Sequence, residues 1–458
     1  MFGVIVTLLA VAGIAYLVIK NYYPPTILLL LGLVLLVIGG LMGNDPVTGK
    51  TATNFFGFDL AQAFTDLMKR RLPGLGLNIM AIAGFSFYMN KIGASKALVK
   101  LCIRPLSAIR SPYLLLAMTY VVGQVMALFI NSAVGLGLLL MASIYPLLVS
   151  LGVRRAAAAA VIGSTCCLDL GPSSSNAMRA ADLLNTDVVT YFVTGQIPVA
   201  VCVIAAVAAG HFFVQRWFDR REAAKGIADN LDGINTNKED PFADAGPAHY
   251  AILPILPLFL LIIFSPMVYN GIKLSLVTAI VVSILVAFFV DLFTRRNFKL
   301  SCQDSQAFFD GMGKVFTSTV ALVCCAELFA LGLTKVGGIS TLIQLAASQQ
   351  GVGLFLMLFV MMGIMAIATL VTGSGNSAFF AFSPLLPEAA ASVGYNTMAL
   401  VVPVQLAASL ARPMSPISGV VIAVSGIAGL TPIELIRRTI PVMIFGMIVN
   451  VAASLVFL

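Results

Sequence analysis

The sequence predicts an all-α polytopic membrane protein, with two inverted-topology repeats, about ten transmembrane helices, two re-entrant helical hairpins, and helices broken at mid-membrane. Three observations carry this expectation. Apolar runs of spanning length recur along the whole chain. Short residue strings repeat at a fixed offset. Clusters of Gly, Pro and Ser interrupt the apolar runs at matching points of the two halves.

Composition sets the class. Of 458 residues, 60% are hydrophobic and 10% are charged, and the mean hydropathy is +1.01. A soluble chain carries roughly 25% charged residues because its surface must face water. Here the outer surface must face lipid, which excludes a large soluble enzyme. Apolar runs fall at about 2–19, 25–43, 73–90, 112–130, 136–150, 155–170, 189–213, 249–269, 274–292, 315–334, 352–371, 376–392, 397–411 and 433–456. A helix of roughly 17–25 such residues crosses a hydrocarbon core of about 30 Å.

The net charge of +8 does not point to nucleic acid, because the basic residues are scattered through short loops as cytoplasmic loops favour. Lipid is the expected partner, and nucleic acid is not. Seven cysteines lie in or beside apolar segments, and only His211 and His249 could join them as soft ligands. Buried packing residues are the expectation, with no disulfide, no metal centre and no cofactor. The first apolar run lacks a basic leader and a small-residue cleavage site, and its Lys20 follows the run. This favours an uncleaved first span with its N-terminus outside.

The repeat divides the chain into 1–214, a polar linker at 215–248, and 249–458. Gln62-Ala63-Phe64 and Asp66 recur as Gln306-Ala307-Phe308 and Asp310, an offset of 244. Lys91-Ile92-Gly93 recurs as Lys335-Val336-Gly337, and Leu98-Val99 as Leu342-Ile343, at the same offset. Ile197-Pro198-Val199 matches Ile440-Pro441-Val442 at 243. If the linker is cytoplasmic, Lys91, Arg104, Arg110, Arg154, Arg155, Arg295, Arg296 and Arg437 also fall on that side, provided that 112–150 and 352–390 are re-entrant hairpins. Each half then has an odd number of full spans, so the halves run in opposite directions. That arrangement characterises secondary transporters.

The candidate site lies at four polar breaks. The hairpin turns are Asn131-Ser132-Ala133-Val134-Gly135 and Thr372-Gly373-Ser374-Gly375-Asn376-Ser377. The broken spans are Gly171-Pro172-Ser173-Ser174-Ser175-Asn176 and Arg412-Pro413-Met414-Ser415-Pro416-Ile417-Ser418-Gly419. Proline removes a donor and breaks the helix, and irregular backbone at membrane depth is tolerated only where it lines a cavity or is buried in protein. Freed helix N-termini suit an anion and freed carbonyls a cation. Arg412, deep in an apolar run, is read as a carboxylate anchor or as half of a salt bridge with Asp169. Asp169 could pair with Arg412, carry a proton or bind a cation. Arg179 is a second possible anchor or a helix-end charge. Glu327 and Glu388 are lone acids expected to be partly hydrated or hydrogen-bonded, and His211 is expected at the membrane interface. No Gly-Lys-Ser/Thr follows Gly373–Gly375, and two histidines far from the breaks do not support a hydrolase. A channel would need a continuous polar lining, which the spans lack.

Thr372-Gly373-Ser374-Gly375-Asn376, Leu410-Ala411-Arg412 with Ser415-Pro416, Phe308-Phe309-Asp310-Gly311-Met312-Gly313, and Ile109-Arg110-Ser111-Pro112-Tyr113 together resemble the anaerobic four-carbon dicarboxylate carriers of the DcuC type. The resemblance extends over essentially the whole chain, including His211-Phe212-Phe213 with Gln215-Arg216. It implies exchange or efflux of succinate, fumarate, malate or aspartate at a bacterial inner membrane. It also implies the ion-transporter superfamily fold, a homodimer, and an elevator-like movement. On this reading Arg412 holds one carboxylate. Asn131, Ser132, Ser173, Ser174, Asn176, Thr372, Gly373, Ser374, Gly375, Asn376, Ser415 and Ser418 supply amide and hydroxyl contacts, and Na+ or H+ is the coupling ion. Another organic anion or an amino acid is the alternative substrate.

Overall fold

A computed structural model describes residues 2–20, 22–47, 51–226, 242–265, 268–269, 271–337, 353–392 and 394–458. Among these the regular structure is entirely helical. Eight helices are long and apolar enough to cross a membrane: Pro24–Leu41, Phe56–Lys91, Val188–Ala224, Leu276–Arg295, Phe298–Val336, Phe355–Thr372, Thr397–Ile427 and Pro432–Phe457. Shorter apolar helices cover Pro112–Ala127, Ala133–Ser143, Arg155–Ser164 and Ala248–Ile263.

Several elements differ from the hydropathy reading, each for a physical reason. The run at 73–90 is the second part of Phe56–Lys91, and the run at 315–334 is the second part of Phe298–Val336. The first parts carry Asp59, Asp66, Lys69, Arg70 and Arg71, or Lys299, Asp304, Asp310 and Lys314, so their helical periodicity is amphipathic rather than apolar. Each long helix widens into a π-helical turn, at Leu72–Gly76 and Phe316–Val320, 244 residues apart; such turns interrupt the regular ladder. Gly93 and Gly337 follow these helices with φ of 77° and 75°, a left-handed conformation open to glycine without strain.

The stretch read as linker begins too early. Helix Ile197–Ala224 continues through 215–224, because Gln215 and Asp219 turn inward to Arg438. His211 lies on the same helix and is wholly buried, 2.7 Å from Ser164 Oγ. The expected interfacial position is therefore incorrect: the ring packs inside the protein, where Ser164 and Gln215 satisfy its nitrogens. The first break also starts earlier than its polar residues suggest. Helix Arg155–Ser164 ends before the apolar residues Cys166, Cys167 and Leu168, and the next helix begins at Ser175.

Packing sorts the helices into two sets. Pro24–Leu41 lies along Ala321–Val336, and Leu77–Lys91 along Phe298–Val315, with Leu276–Arg295 against Leu77–Lys91. In the second set Ile197–Ala224 lies along Pro432–Phe457, and Gly353–Thr372 packs on Thr397–Leu410. Ala321–Val336 also lies against Gly375–Phe382, joining the sets. Small residues permit the closest crossings, as expected where lipid removes the hydrophobic drive between helices. A Cβ on Gly332 would stand 2.7 Å from Leu35 Cβ, and one on Gly311 2.9 Å from Gly84 Cα.

Gly332→Leu is expected to destabilise the protein by about 1–3 kcal/mol through overpacking, read as a lower midpoint in thermal unfolding of the detergent-purified chain. Gly363→Ala should leave the midpoint in place, since its Cβ would meet nothing within 4 Å.

Candidate functional site

The polar breaks of the two halves meet at one point. Helix Arg155–Ser164 stops, residues 165–174 cross without helical bonds, and Ser175–Leu183 resumes. In the second half Thr397–Leu410 gives way to a 3₁₀ turn at Arg412–Met414, and Gly419–Ile427 resumes. Arg412 Nη2 lies 2.5 Å from Asp169 Oδ2 and 3.1 Å from Asn376 Oδ1, and its Nη1 donates to the Cys166 carbonyl at 3.1 Å. The salt bridge weighed from sequence is therefore present, and it joins the halves. Asn176 Nδ2 and Ser409 Oγ also donate to Asp169 Oδ2, both at 2.8 Å.

This ion pair forms part of the wall of a cavity of about 300 Å³, the lower end of the size range for small-molecule sites. Asn131, Ser132, Asp169, Ser173, Ser174, Asn376 and Arg412 all line it. Ser132 caps helix Ala133–Ser143 by accepting from Gly135 N at 3.0 Å. Ser174 caps Ser175–Leu183 by accepting from Ala177 N at 3.3 Å, and Ser173 Oγ donates to the Leu128 carbonyl.

The remaining sequence candidates stand behind this surface. Asn176 is buried, and its Oδ1 has no hydrogen-bond partner among the described residues. Ser374 caps Gly375–Phe382 by accepting from Ser377 N, and Thr372 Oγ1 accepts from Ser374 N. Gly373 has φ of 69°, and a Cβ there would meet the Ile417 carbonyl oxygen at 2.7 Å. A Cβ on Gly375 would be 2.6 Å from the Ala408 carbonyl oxygen and 3.3 Å from Arg412 Nη2. These two glycines let residues 373–375 lie directly on the second break. Ser415 Oγ donates to the Leu370 carbonyl, and buried Ser418 precedes Gly419–Ile427.

Sequence reasoning missed the residues that hold the broken backbone. Gln405 Nε2 donates to the Asp169 carbonyl at 2.8 Å, and Gln196 Nε2 to the same carbonyl at 3.1 Å. Gln124 Nε2 takes the Leu168 carbonyl at 2.8 Å. Each is a lone amide inside an apolar run, and that was the available signal. Lys314 was also missed. It lines the same cavity from Phe298–Val336, with its Nζ 5.3 Å from the centre of the Phe87 ring and no ion pair among the described residues.

A second cavity, of about 570 Å³, includes Asp66, Arg70, Arg71, Arg179, Glu327 and Thr334 in its lining. Arg179 is not an anchor in the first cavity, and Glu327 is not a lone acid. The Glu327 carboxylate accepts from Arg71 Nε at 2.7 Å and forms an ion pair with Arg179 Nη1 at 2.8 Å. Asp182 joins through Arg71 at 3.0 Å and Arg179 at 2.9 Å. Glu388 is exposed. Along Phe56–Lys91 the chain passes the second cavity at 63–71 and then the first at 79–90; along Phe298–Val336 it passes the first at 314–319 and then the second at 327–334. The two helices meet the cavities in opposite order.

A family described as C4-dicarboxylate anaerobic carrier matches residues 2–458. A protein of Vibrio cholerae serotype O1, named a probable anaerobic C4-dicarboxylate transporter DcuC, is 34% identical over 458 residues, covering 100% of this chain and 98% of the relative. The anaerobic C4-dicarboxylate transporter DcuC of Escherichia coli K12 is 34% identical over 453 residues, covering 98% and 96%. Among solved structures, the YdaH transporter of Alcanivorax borkumensis superposes with a TM-score of 0.59 at 16% identity, covering 94% of this chain and 98% of that one. At that identity the likeness concerns the fold.

Asp169→Ala should destabilise the chain by about 3–5 kcal/mol, because it leaves the Arg412 guanidinium buried without its counter-charge. Asp169→Ala combined with Arg412→Met should recover most of that loss, and thermal unfolding of the purified variants measures both.

Proposed function

This chain belongs to the C4-dicarboxylate anaerobic carrier family and is a multi-pass membrane transporter, not an enzyme; from that premise we propose that it carries succinate, fumarate, malate and aspartate. On this reading it works by exchange or cation-coupled transport, through an elevator-like displacement of one helix set against the other.

The observation that carries the substrate assignment is Arg412, buried at the junction of the halves yet open to the cavity beside Asn376. A dianion leaving water needs compensating donors, because a charge at membrane depth costs several kcal/mol. The planar guanidinium matches a carboxylate with two parallel bonds. The N-termini of Ser175–Leu183 and Gly375–Phe382 lie beside it and add partial positive charge. Asp169 now occupies Arg412, so a substrate carboxylate would compete with it for the guanidinium. A proton or Na+ on Asp169 would weaken that competition, which makes Asp169 the coupling residue. The unpartnered Asn176 Oδ1 beside it adds an oxygen suited to a cation.

Two inverted repeats, 1–214 and 249–458, are part of the same proposal, with re-entrant hairpins reaching the cavity at Asn131 and Asn376. It is supported by the π-helical turns and the left-handed glycines 244 residues apart, and by helices Ser175–Leu183 and Gly419–Ile427 at the same offset. The opposite order in which the paired helices meet the two cavities supports inversion. A bacterial inner-membrane location, an outside N-terminus, a cytoplasmic connection between the halves and a homodimer complete the reading.

Proteoliposomes preloaded with fumarate should take up labelled succinate faster than empty ones, and comparison with and without Na+ tests one coupling ion. Absence of uptake by folded protein under every condition would overturn the substrate assignment. Arg412→Ala should lower succinate uptake at least about thirtyfold, the effect of truncating a buried charge that pairs with a ligand. Arg412→Lys should restore little, because an ammonium lacks the fork; undiminished uptake by the alanine variant would sink the role of Arg412.

A further inference from the structure

Lys314 and Arg70 stand at equivalent places. Each lies two residues before a π-helical turn, Lys314 before Phe316–Val320 and Arg70 before Leu72–Gly76, and they are 244 residues apart. Each also lines a cavity, Lys314 the one at Arg412 and Arg70 the one at Arg179 and Glu327. Because the two long helices meet the cavities in opposite order, the equivalent cations line different cavities.

Charge gives these positions a use. In the first cavity the charge of Arg412 is already offset by Asp169, which leaves Lys314 as the uncompensated cation among the lining residues. A monocarboxylate can be held by Arg412 and Asn376 alone, whereas a dicarboxylate brings a second negative end that needs its own partner. Lys314 is exposed on the facing wall, belongs to the other helix set, and rests over Phe87 rather than on an acid. Among the residues lining the second cavity, Arg70, Arg71 and Arg179 outnumber Asp66 and Glu327 by one, and Asp182 pairs with Arg71 and Arg179 from outside that lining. Arg70 is the exposed member, with 64% of its side chain accessible and its Nη2 3.6 Å from Glu327.

We propose that Lys314 and Arg70 form a duplicated pair of receiving cations, each holding the second carboxylate of the substrate on one face of the protein. Lys314 serves the conformation described here. Arg70 serves the opposite one, after Ser175–Leu183 and the Arg412 junction have moved past the helices that carry the two cations. That nine-residue helix lines the first cavity with Ser175 and Met178 and the second with Arg179 and Leu183. Its length, roughly 14 Å at 1.5 Å per residue, is the order of movement required. The inference rests on the central dicarboxylate site and the displacement proposed above, and it adds the residues that distinguish two carboxylates from one.

The test uses right-side-out and inside-out membrane vesicles containing the full-length chain, with KM for labelled succinate measured from each face. Lys314→Gln should raise KM from one face, the cytoplasmic one under the orientation proposed above, so that the ratio of the two KM values shifts about tenfold, the effect of 1.4 kcal/mol. Arg70→Gln should shift the ratio by a similar factor in the opposite direction, and Lys314→Arg should return it towards wild type. Competition by butyrate, a monocarboxylate probe, should weaken far less than succinate binding in both glutamine variants. Equal KM changes on both faces, no change in either variant, or equal losses for butyrate and succinate would overturn the proposal. Arg412→Ala in the same vesicles separates the two readings. Loss of uptake from both faces without sidedness in the glutamine variants rejects the receiving cations alone. Sidedness with an active Arg412→Ala rejects the central anchor.

Discussion

A carbonyl group inside a membrane has no water to bond, and this constraint organises the centre of the protein. Helices satisfy their own backbone, but residues 165–174 are not helical and 411–418 hold only the 3₁₀ turn at Arg412–Met414, so several of their carbonyls need side-chain partners. Gln124 serves Leu168, Gln196 and Gln405 serve Asp169, Arg412 serves Cys166, and Thr439 serves Pro413. Tyr191 and Gln196 in turn donate to Gln405 Oε1 at 3.1 and 2.8 Å, fixing the amide that holds Asp169. The carboxylate of Asp169 and the guanidinium of Arg412 therefore take their positions from the repair of a broken backbone. A site that must expose polar groups and a fold that must hide them reach one solution here.

The charged groups at depth fall into two kinds. Arg438 is held by Asp219 at 2.7 Å and Glu222 at 2.6 Å, and Gln215 also bonds it. This cluster ties Ile197–Ala224 to Pro432–Phe457 within one helix set. The Arg71, Arg179, Glu327 and Asp182 network crosses from one set to the other, as does the cavity wall shared by Lys314 and Arg412. Ion pairs of the first kind can stay intact if the sets move as bodies; those of the second must break or exchange partners. The close backbone approach at Gly332 and Gly311 fits the same division, since helices in such contact cannot slide easily past one another.

Much of this was legible in the sequence. Membrane character, the breaks in the apolar runs near Asn131, Ser374 and Pro413, and Arg412 opposite Asp169 follow from apolar run length, helix breakers and the cost of a buried charge. What stayed hidden had a common cause. Hydropathy reports what a residue avoids, not what it bonds, so Gln124, Gln196 and Gln405 were submerged in apolar runs, and the break at 165–170 was masked by Cys166, Cys167, Leu168 and Leu170. The early parts of Phe56–Lys91 and Phe298–Val336 were hidden for the converse reason. Their charged faces line cavities, and Lys314 and Arg70 drew no reading from the sequence. His211 was misplaced because two distant partners, Ser164 and Gln215, satisfy its ring.

The bond from Arg412 to Asp169 joins residues 243 apart in the chain, and Gln405 reaches back almost as far. A ribosome adding about 5–20 residues per second needs roughly 12–50 seconds to make that interval. Throughout it, Gln124 and Gln196 can serve the open backbone of 165–174, but Gln405 and Arg412 do not yet exist. The first half must therefore wait, in or beside the insertion machinery, with Asp169 lacking its Arg412 counter-charge. Assembly of the native core is a late event, and any slowing of synthesis through the second half lengthens the period in which the first half is vulnerable to proteolysis.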